Sequence, residues 1–177
     1  MTNLNFFATL ISIFLSVSTT AGQTVKIIYD TDMESDVDDV GATAVLHALA
    51  NRGEAKILAT MVSSANPWSA PCLDAINTFY GRPDLPIGVP KGEAVNRESV
   101  YAQSVAETYP HSITSSNSLP EAAQLYRKIL ASQPDSSVVI VTVGYLTNLS
   151  RLLRTPPDEF SPLNGRDLVK QKVKSYI

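Results

Sequence analysis

The sequence predicts an α/β fold with an open, mainly parallel sheet and helices on both faces. Short runs rich in aliphatic and β-branched residues alternate with longer segments whose apolar residues recur at helical spacing. Their order is strand, helix, strand, helix, strand, which is typical of parallel sheets because each crossover helix returns the chain to the same edge. The chain has 177 residues, of which 44% are hydrophobic and 18% charged, as expected for one globular domain.

The elements can be predicted in order from residue 24. Val25 to Tyr29 is a short aliphatic and aromatic strand, and the helix predicted from Val40 to Ala50 ends at Arg52-Gly53. The polar stretch 91–118 lacks clear periodicity and is predicted to be a long surface loop. The remaining predicted elements are a strand at 55–62, a helix at 69–80, a strand at 85–89, a helix at 120–131, a strand at 137–143 and a helix at 146–153 that Pro156-Pro157 stops.

Charge and cysteine content exclude several classes of protein. The 14 basic and 17 acidic side chains give a formal net charge of −3, so nothing in the charge balance favours nucleic-acid binding. Cys72 is the only cysteine, which excludes an internal disulfide and a multi-cysteine zinc site. We expect Cys72 to be a small buried thiol.

Residues 1–22 have the pattern of a signal peptide. The run from Phe6 to Val17 is almost entirely apolar, and small or polar residues follow it up to Gly22, although no Lys or Arg precedes it. At about 12 residues this run is short for a membrane span. We expect cleavage near residue 22, secretion or export to the periplasm, and no stable membrane span afterwards; a buried N-terminal helix or an uncleaved anchor is the alternative. Residues 23–177 form the predicted domain.

An acidic loop follows the first predicted strand. Six carboxylates occur within ten residues, and like charges a few ångströms apart repel by about 1 kcal/mol even in water. Such a loop needs a cation or raised pKa values, and its oxygen-only donors favour Ca²⁺ or Mg²⁺, with Ca²⁺ tolerating irregular geometry best. The alternative is a solvated acidic loop, but its place after a parallel strand favours a metal site. The six residues are Asp30, Asp32, Glu34, Asp36, Asp38 and Asp39.

Two other acidic motifs fit this loop less well. An EF-hand counted from Asp30 requires Gly at the sixth position and Glu at the twelfth, where the chain has Ser35 and Gly41. Asp30 and Asp32 satisfy the first half of the aspartyl-phosphatase pattern. That pattern requires Thr or Val where the chain has Glu34, so an aspartyl phosphatase remains a minor alternative.

Three blocks of the chain resemble the nucleoside hydrolase family, of the inosine/uridine-preferring type. Asp30-Thr31-Asp32, followed by Asp36-Val37-Asp38-Asp39, resembles the family's N-terminal fingerprint. The segment 139–149 resembles its strand that ends in a Gly-x-Leu-Thr-Asn turn. The segment 59–62 followed by Asn66 resembles its second strand, although Ser63-Ser64-Ala65 replaces the usual glycines.

The resemblance implies a Rossmann-like hydrolase that cleaves the N-glycosidic bond of ribonucleosides with the help of Ca²⁺ and a calcium-bound water. Glu34 and Asp36 lie in a longer loop than the family's and are expected to be peripheral. The sequence leaves the oligomeric state open, a homo-oligomer included. The implied roles are general base and calcium ligand for Asp32, calcium ligands for Asp39 and the Val143 carbonyl, ribose contacts for Asp38 and Asn66, and orientation of the site by Asp30.

The chain departs from the family in its C-terminal half. Family members are longer and supply a histidine near the leaving base and a last calcium-binding aspartate, neither of which has a counterpart here. We therefore expect residues 23–177 to be the N-terminal part of such a domain, with a C-terminally incomplete sheet. His47, His111 and Trp68 are expected to pack or to lie on the surface. A non-catalytic protein that binds calcium or nucleoside is the main alternative to an enzyme.

Overall fold

A computed structural model describes residues 23–177 and contains one open sheet of five parallel strands in the order β3-β2-β1-β4-β5. The predicted fold class is confirmed. The strands are β1 (Val25–Thr31), β2 (Ala55–Val62), β3 (Ile87–Gly88), β4 (Val138–Thr142) and β5 (Val173–Tyr176). The helices are α1 (Asp38–Asn51), α2 (Ser69–Phe79), α3 (Ala102–Thr108), α4 (Ala122–Ala131), α5 (Thr147–Arg154) and α6 (Gly165–Lys172), with a 3₁₀ turn at Ser116–Ser118.

The helices cover both faces of the sheet because neighbouring residues of a strand point to opposite sides. In β1, Ile27 and Tyr29 pack with Leu46 of α1. Ile28, between them, packs in the other core together with Leu130 of α4. The predicted β1, β2, α2 and α5 agree with the structure to within about two residues at each end, and Cys72 is fully buried as expected.

The segment 91–118 contains a helix, contrary to the prediction of an irregular loop. In α3, Ala102 and Ala106 are buried against α2, and these small residues one turn apart produce only a weak apolar pattern in the sequence. The buried carboxylate of Asp74 in α2 fixes the following residues, because it accepts hydrogen bonds from the Ser112 amide at 2.7 Å, the Ser112 hydroxyl at 2.9 Å and the Ile113 amide at 3.2 Å.

The C-terminal segment forms α6 and β5. The sequence pattern favours a solvated helix face for the Lys-rich tail, whereas only Lys170 and Lys172 lie in α6 and Lys174 lies in β5. Between residues 23 and 177, no helix combines the length and apolar character that crossing a bilayer requires. The predicted signal peptide lies outside the described residues.

Arg127 of α4 is a buried cation, with its side chain 1% exposed. Its guanidinium donates to both carboxylate oxygens of Asp158, at 2.6 and 2.8 Å. It also donates to the Thr155 hydroxyl at 2.9 Å and to the carbonyls of Ser161 and Leu163 at 3.1 and 2.8 Å. Arg127 therefore binds the whole α5–α6 connection to α4.

His47 of α1 lies in a buried polar cluster, and it is buried more completely than the half-buried packing position or the surface position that the sequence left open. Its Nε2 lies 2.9 Å from Asn77 Oδ1 and its Nδ1 lies 3.2 Å from Arg82 Nη1, so the neutral ring donates to Asn77 and accepts from Arg82. The ring stacks on Tyr80 with centroids 4.6 Å apart. Burial lowers the pKa of His47, and the nearby Arg82 charge lowers it further.

Acid is expected to destabilise the protein through His47. Because the folded pKa of His47 is lowered, the unfolded chain binds the proton first, from about pH 6.5 downward. Stability from this group is complete above that pH and is lost as the pH falls toward the folded pKa. Urea unfolding at pH 7.5 and pH 5.5 tests this, with His47→Gln as the comparison.

Comparison with His47→Gln separates the effect of His47 on stability from the effects of the carboxyl groups. Burial raises the folded pKa of Asp30 and of Asp32 to about 7, so these groups stabilise the fold at low pH and oppose the His47 effect. The Asp30 and Asp32 contributions are present both in wild type and in His47→Gln. We expect wild type to lose more stability than His47→Gln between pH 7.5 and pH 5.5, and equal losses would contradict the assignment.

Candidate functional site

The acidic loop lies at the carboxyl edge of the sheet, between β1 and β4. The connection from β1 leads to β2 on one side, whereas β4 lies on the other side, so the crevice between β1 and β4 is the point where the strand order reverses. Ligands of open parallel sheets bind at such points. The structure thus brings Asp30 and Asp32 next to the turn after β4, more than a hundred residues away in sequence.

Gly144 allows the turn after β4 to contact the acidic loop. A Cβ at this position would lie 2.6 Å from the Asp32 amide nitrogen, 2.7 Å from the Thr31 carbonyl carbon and 2.5 Å from Ser63 Oγ. The Val143 amide donates to the Asp30 carbonyl at 2.9 Å. In the part of the chain that the structure describes, no hydrogen bond to the Val143 carbonyl is present. The backbone of the acidic loop and the backbone of the turn after β4 are therefore in contact.

Asp30 is completely buried beneath the loop. Its carboxylate accepts a hydrogen bond from the Tyr126 hydroxyl at 2.9 Å and from the Asn148 amide at 3.3 Å. Burial raises the pKa of Asp30 to about 7, although both hydrogen bonds favour the charged form. Asp30 is oriented by α4 and α5 and is shielded from solvent.

Asp32 and Asp39 form a coupled carboxyl pair. Burial, the nearby Asp39 charge and a hydrogen bond between the two side chains together raise the pKa of Asp32 to about 7. Burial also raises the pKa of Asp39, which accepts a hydrogen bond from the Thr31 hydroxyl. Asp32 accepts from the Glu34 amide at 3.2 Å. Close carboxylates of this kind hold either a proton or a cation.

The start of α1 adds two more carboxylates to this pair. Asp36, Asp38 and Asp39 each offer an oxygen, and these atoms lie within 4.8 Å of one another. Asp36 and Asp38 are exposed whereas Asp39 is buried. Asp36 therefore belongs to the acidic cluster, although the sequence suggested a peripheral place for it. Asp39 is the member common to this cluster and to the pair with Asp32.

Glu34 is fully buried, so the expectation that it is peripheral is wrong. Its carboxylate accepts hydrogen bonds from the Ser64 hydroxyl, from the Arg97 amide at 2.8 Å and from the Tyr145 hydroxyl at 2.9 Å. These donors come from the segments after β2, after β3 and after β4. Glu34 therefore joins all three to the loop that holds Asp32, and sequence spacing alone could not show this because each donor is at least 30 residues away.

The side chain of Asn66 is bonded within the chain. Its amide nitrogen donates to the Arg97 carbonyl at 2.7 Å, and its oxygen accepts from the Trp68 amide at 2.9 Å. The second bond fixes the backbone just before α2, where Trp68 packs as expected. A contact from Asn66 to a sugar remains a prediction and would use the second N–H or the second lone pair of the amide.

The two histidines lie apart from the carboxyl cluster. His47 belongs to the Asn77 and Arg82 cluster described above. His111 lines a cavity of about 540 Å³ together with Trp68, and its Nδ1 is buried without a hydrogen-bond partner among residues 23–177. Neither histidine is among the side chains that contact the Asp32 and Asp39 pair.

Three features that bear on chemistry lie together at one edge of the sheet. It has a carboxyl pair whose pKa values are raised toward neutrality, an exposed carboxylate at Asp38, and oxygen donors that suit a hard cation. Comparison with known proteins adds no assignment, because no family model matches the chain and no curated protein matches it.

Proposed function

We propose that the protein is a ribonucleoside hydrolase that cleaves the N-glycosidic bond to release base and ribose, with Ca²⁺ bound at the acidic loop and Asp32 as the general base. One observation supports it most: Asp32 and Asp39 share a partly buried site with the Val143-Gly144 turn at the reversal point of the sheet. Two of the three sequence blocks that resemble nucleoside hydrolases supply these residues.

The donor set fits a calcium ion. Asp32 and Asp39 offer carboxylate oxygens whose charged forms are disfavoured without a cation, and the Val143 carbonyl belongs to the turn that contacts the Asp32 backbone at Gly144. Irregular loops with mixed carboxylate and carbonyl oxygens suit Ca²⁺ better than the rigid octahedron of Mg²⁺. When bound, the ion would bind the ribose diol and make a water molecule more acidic.

The side chains supply the rest of the chemistry. Burial raises the pKa of Asp32 to about 7 in the metal-free protein, and a bound cation would lower that pKa and keep Asp32 ionised, so that its carboxylate can accept a proton from water. Asp38 is exposed and offers an acceptor for ribose hydroxyls, and the negative charge of the cluster favours the oxocarbenium character of the sugar in the transition state. Asp30 orients the loop from below.

A protein that binds calcium and nucleoside without cleaving the bond is the second candidate. The hydrogen bonds of Asn66 favour it, because the amide nitrogen and oxygen each already make one bond within the chain, which leaves one N–H and one lone pair for a sugar. An aspartyl phosphatase is disfavoured, because its nucleophile would be Asp30, which is 0% exposed and hydrogen-bonded to Tyr126 and Asn148.

The test is an assay of the full chain on purine and pyrimidine ribonucleosides, with calcium and with a chelator. A hydrolase releases free base and reducing sugar in a calcium-dependent manner. The binding protein gives only a saturable, calcium-dependent isotherm with the nucleoside. Release of inorganic phosphate from a phosphomonoester, or neither hydrolysis nor binding, would contradict the proposal.

Replacing Asp39 by Asn is expected to weaken calcium binding by at least about tenfold, because a charged ligand is lost while the hydrogen bond from Thr31 is kept. Isothermal titration with CaCl₂ measures this. Asp84→Asn removes an exposed carboxylate from the turn before β3 and serves as the control. An unchanged isotherm for Asp39→Asn would remove Asp39 from the ion's ligands, whether or not the protein hydrolyses nucleosides.

A further inference from the structure

Two departures from the nucleoside hydrolase pattern contact each other in the structure. The acidic loop after β1 is longer than the family's and contains Glu34, and Ser63-Ser64-Ala65 takes the place of the usual glycines after β2. The Ser64 hydroxyl donates a hydrogen bond to the Glu34 carboxylate. Both side chains are buried, so solvent does not compete for this bond. The two departures therefore act together in the fold.

Glu34 is a buried carboxylate that is held by hydrogen bonds alone. Its Oε1 accepts from the Ser64 hydroxyl and from the Arg97 amide at 2.8 Å, and its Oε2 accepts from the Tyr145 hydroxyl at 2.9 Å. The salt bridges among residues 23–177 do not include Glu34. Burying a carboxylate costs free energy unless donors satisfy it. The donors stabilise Glu34, which in turn fixes the three connections from which they come.

The position of Asp32 depends on Glu34. The Glu34 amide donates to Asp32 Oδ1 at 3.2 Å. Met33, between them, is fully buried and has a φ of 52°, in the left-handed region that a residue with a large side chain keeps only when its surroundings hold it there. The Ser69 hydroxyl donates to the Met33 carbonyl at 3.1 Å. Glu34 and Ser69 thus fix the backbone that directs the Asp32 carboxylate.

Two of the donors to Glu34 are themselves fixed by Asn66. The Ser64 hydroxyl accepts a hydrogen bond from the Asn66 amide at 2.8 Å, which leaves its proton for Glu34. The Asn66 side chain donates to the Arg97 carbonyl at 2.7 Å, while the Arg97 amide donates to Glu34. The four residues form a closed set of hydrogen bonds. Such a network holds its members in one arrangement.

Tyr145 joins the turn after β4 to the same network. Its hydroxyl donates to Glu34, and its amide donates to Ser63 Oγ at 2.9 Å. The turn also contains Val143, whose carbonyl is a predicted calcium ligand. Glu34 therefore connects the segment of one predicted ligand, Asp32, with the segment of another that lies more than a hundred residues away.

We propose that Glu34 is a positioning residue of the calcium site, which holds Asp32 and the Val143 turn in the arrangement that binds the ion. The inference rests on the proposed function, because it concerns the same calcium site. Ligands that are already in place bind more tightly, since binding then requires little ordering of the loops. Both Glu34 oxygens accept bonds from the chain, so Glu34 acts through its neighbours and not as a ligand.

Isothermal titration of the full chain with CaCl₂ tests this role. Glu34→Ala should weaken calcium binding by about 10- to 100-fold, the loss typical when a residue that orients a metal ligand is removed. Glu34→Gln should bind calcium almost as tightly as wild type. Its oxygen still accepts from Ser64 and Arg97, and the Tyr145 hydroxyl can reverse to accept from its amide nitrogen.

Asp74 provides a matched control elsewhere in the fold. It is also a buried carboxylate with three donors, the Ser112 amide, the Ser112 hydroxyl and the Ile113 amide, none of which belongs to the acidic loop. Asp74→Ala should lower the unfolding midpoint, as Glu34→Ala does, but leave calcium binding unchanged. Equal losses of calcium affinity in both variants would show a general effect of destabilisation and would overturn the proposal.

The remaining outcomes separate this inference from the proposed function. Equal calcium affinities of wild type and Glu34→Ala would overturn the positioning role alone, whether or not the protein hydrolyses nucleosides. A Glu34→Gln variant as weak as Glu34→Ala would make Glu34 a charge or a ligand and would also overturn it. If Glu34→Ala does not fold, Tyr145→Phe decides, because it removes one bond to Glu34 and keeps the ring. We expect weaker calcium binding, and unchanged binding would overturn the proposal. A wild type that binds no calcium would overturn both the proposed function and this role.

Discussion

Replacing Asp32 by Asn is expected to lower ribonucleoside hydrolysis by about 10²- to 10⁴-fold, the contribution typical of a general base. The amide side chain keeps the shape and the hydrogen bond from the Glu34 amide but cannot accept a proton from water. Initial rates of base release, measured with calcium and saturating nucleoside, test this. Asp84→Asn provides the control, and equal turnover of wild type and Asp32→Asn would contradict the assignment of the base.

The same variant has a readout that does not depend on activity. Burial and the Asp39 charge disfavour ionised Asp32, so a neutral amide should not destabilise the calcium-free protein at pH 8. A lowered unfolding midpoint would show that the Asp32→Asn substitution perturbs the fold, and a loss of activity could then not be attributed to the missing general base.

In wild type, hydrolysis should decline as the pH falls through the pKa of Asp32, because only the carboxylate accepts the proton.

Removing Asp158 is expected to lower the free energy of unfolding by about 3–5 kcal/mol, since Asp158→Ala leaves the buried Arg127 cation without its counter-charge. Two of the guanidinium donors also lose their acceptors. This is a large fraction of the total stability of a domain. Urea unfolding followed by circular dichroism measures the loss, and failure of the variant to fold would agree with it.

The chain offers a matched control for this ion pair. Arg52 and Glu54 lie 2.6 Å apart, as Arg127 and Asp158 do, but their side chains are 70% and 49% exposed. Solvent weakens such a pair, so Glu54→Ala should cost less than about 1 kcal/mol. If the two variants lose similar amounts of stability, burial does not set the strength of the Arg127 pair and the prediction fails.

Much of the sheet could be predicted from the sequence because its strands are local patterns. β1, β2 and β4 are largely apolar runs, and the strand and helix order requires parallel pairing whatever the side chains contact. Short elements are harder to predict. β3 has two residues, α3 has a buried face made of alanines, and α6 and β5 follow each other without a loop. Their patterns are too brief for periodicity to identify.

For the site, the sequence predicted Asp30, Asp32 and Asp39 at or just beyond the end of β1 but did not show the role of Glu34. The six acids follow one another closely in sequence, and the structure distinguishes Glu34 by its burial beside the Ser64, Arg97 and Tyr145 donors. The same holds for Asn66, whose amide is bonded to the Arg97 carbonyl. The local spacing of residues in the sequence does not indicate such hydrogen-bond partners, because they come from distant segments of the chain.

The sequence by itself determined the order of the elements, the parallel sheet and the placement of the acidic loop at its carboxyl edge, because all three follow from local periodicity and chain order. Only the tertiary structure decided which carboxylates are buried or coupled and which side chains are already bonded within the chain. These properties depend on desolvation and on contacts between distant segments, and such contacts exist only once the helices pack on the sheet.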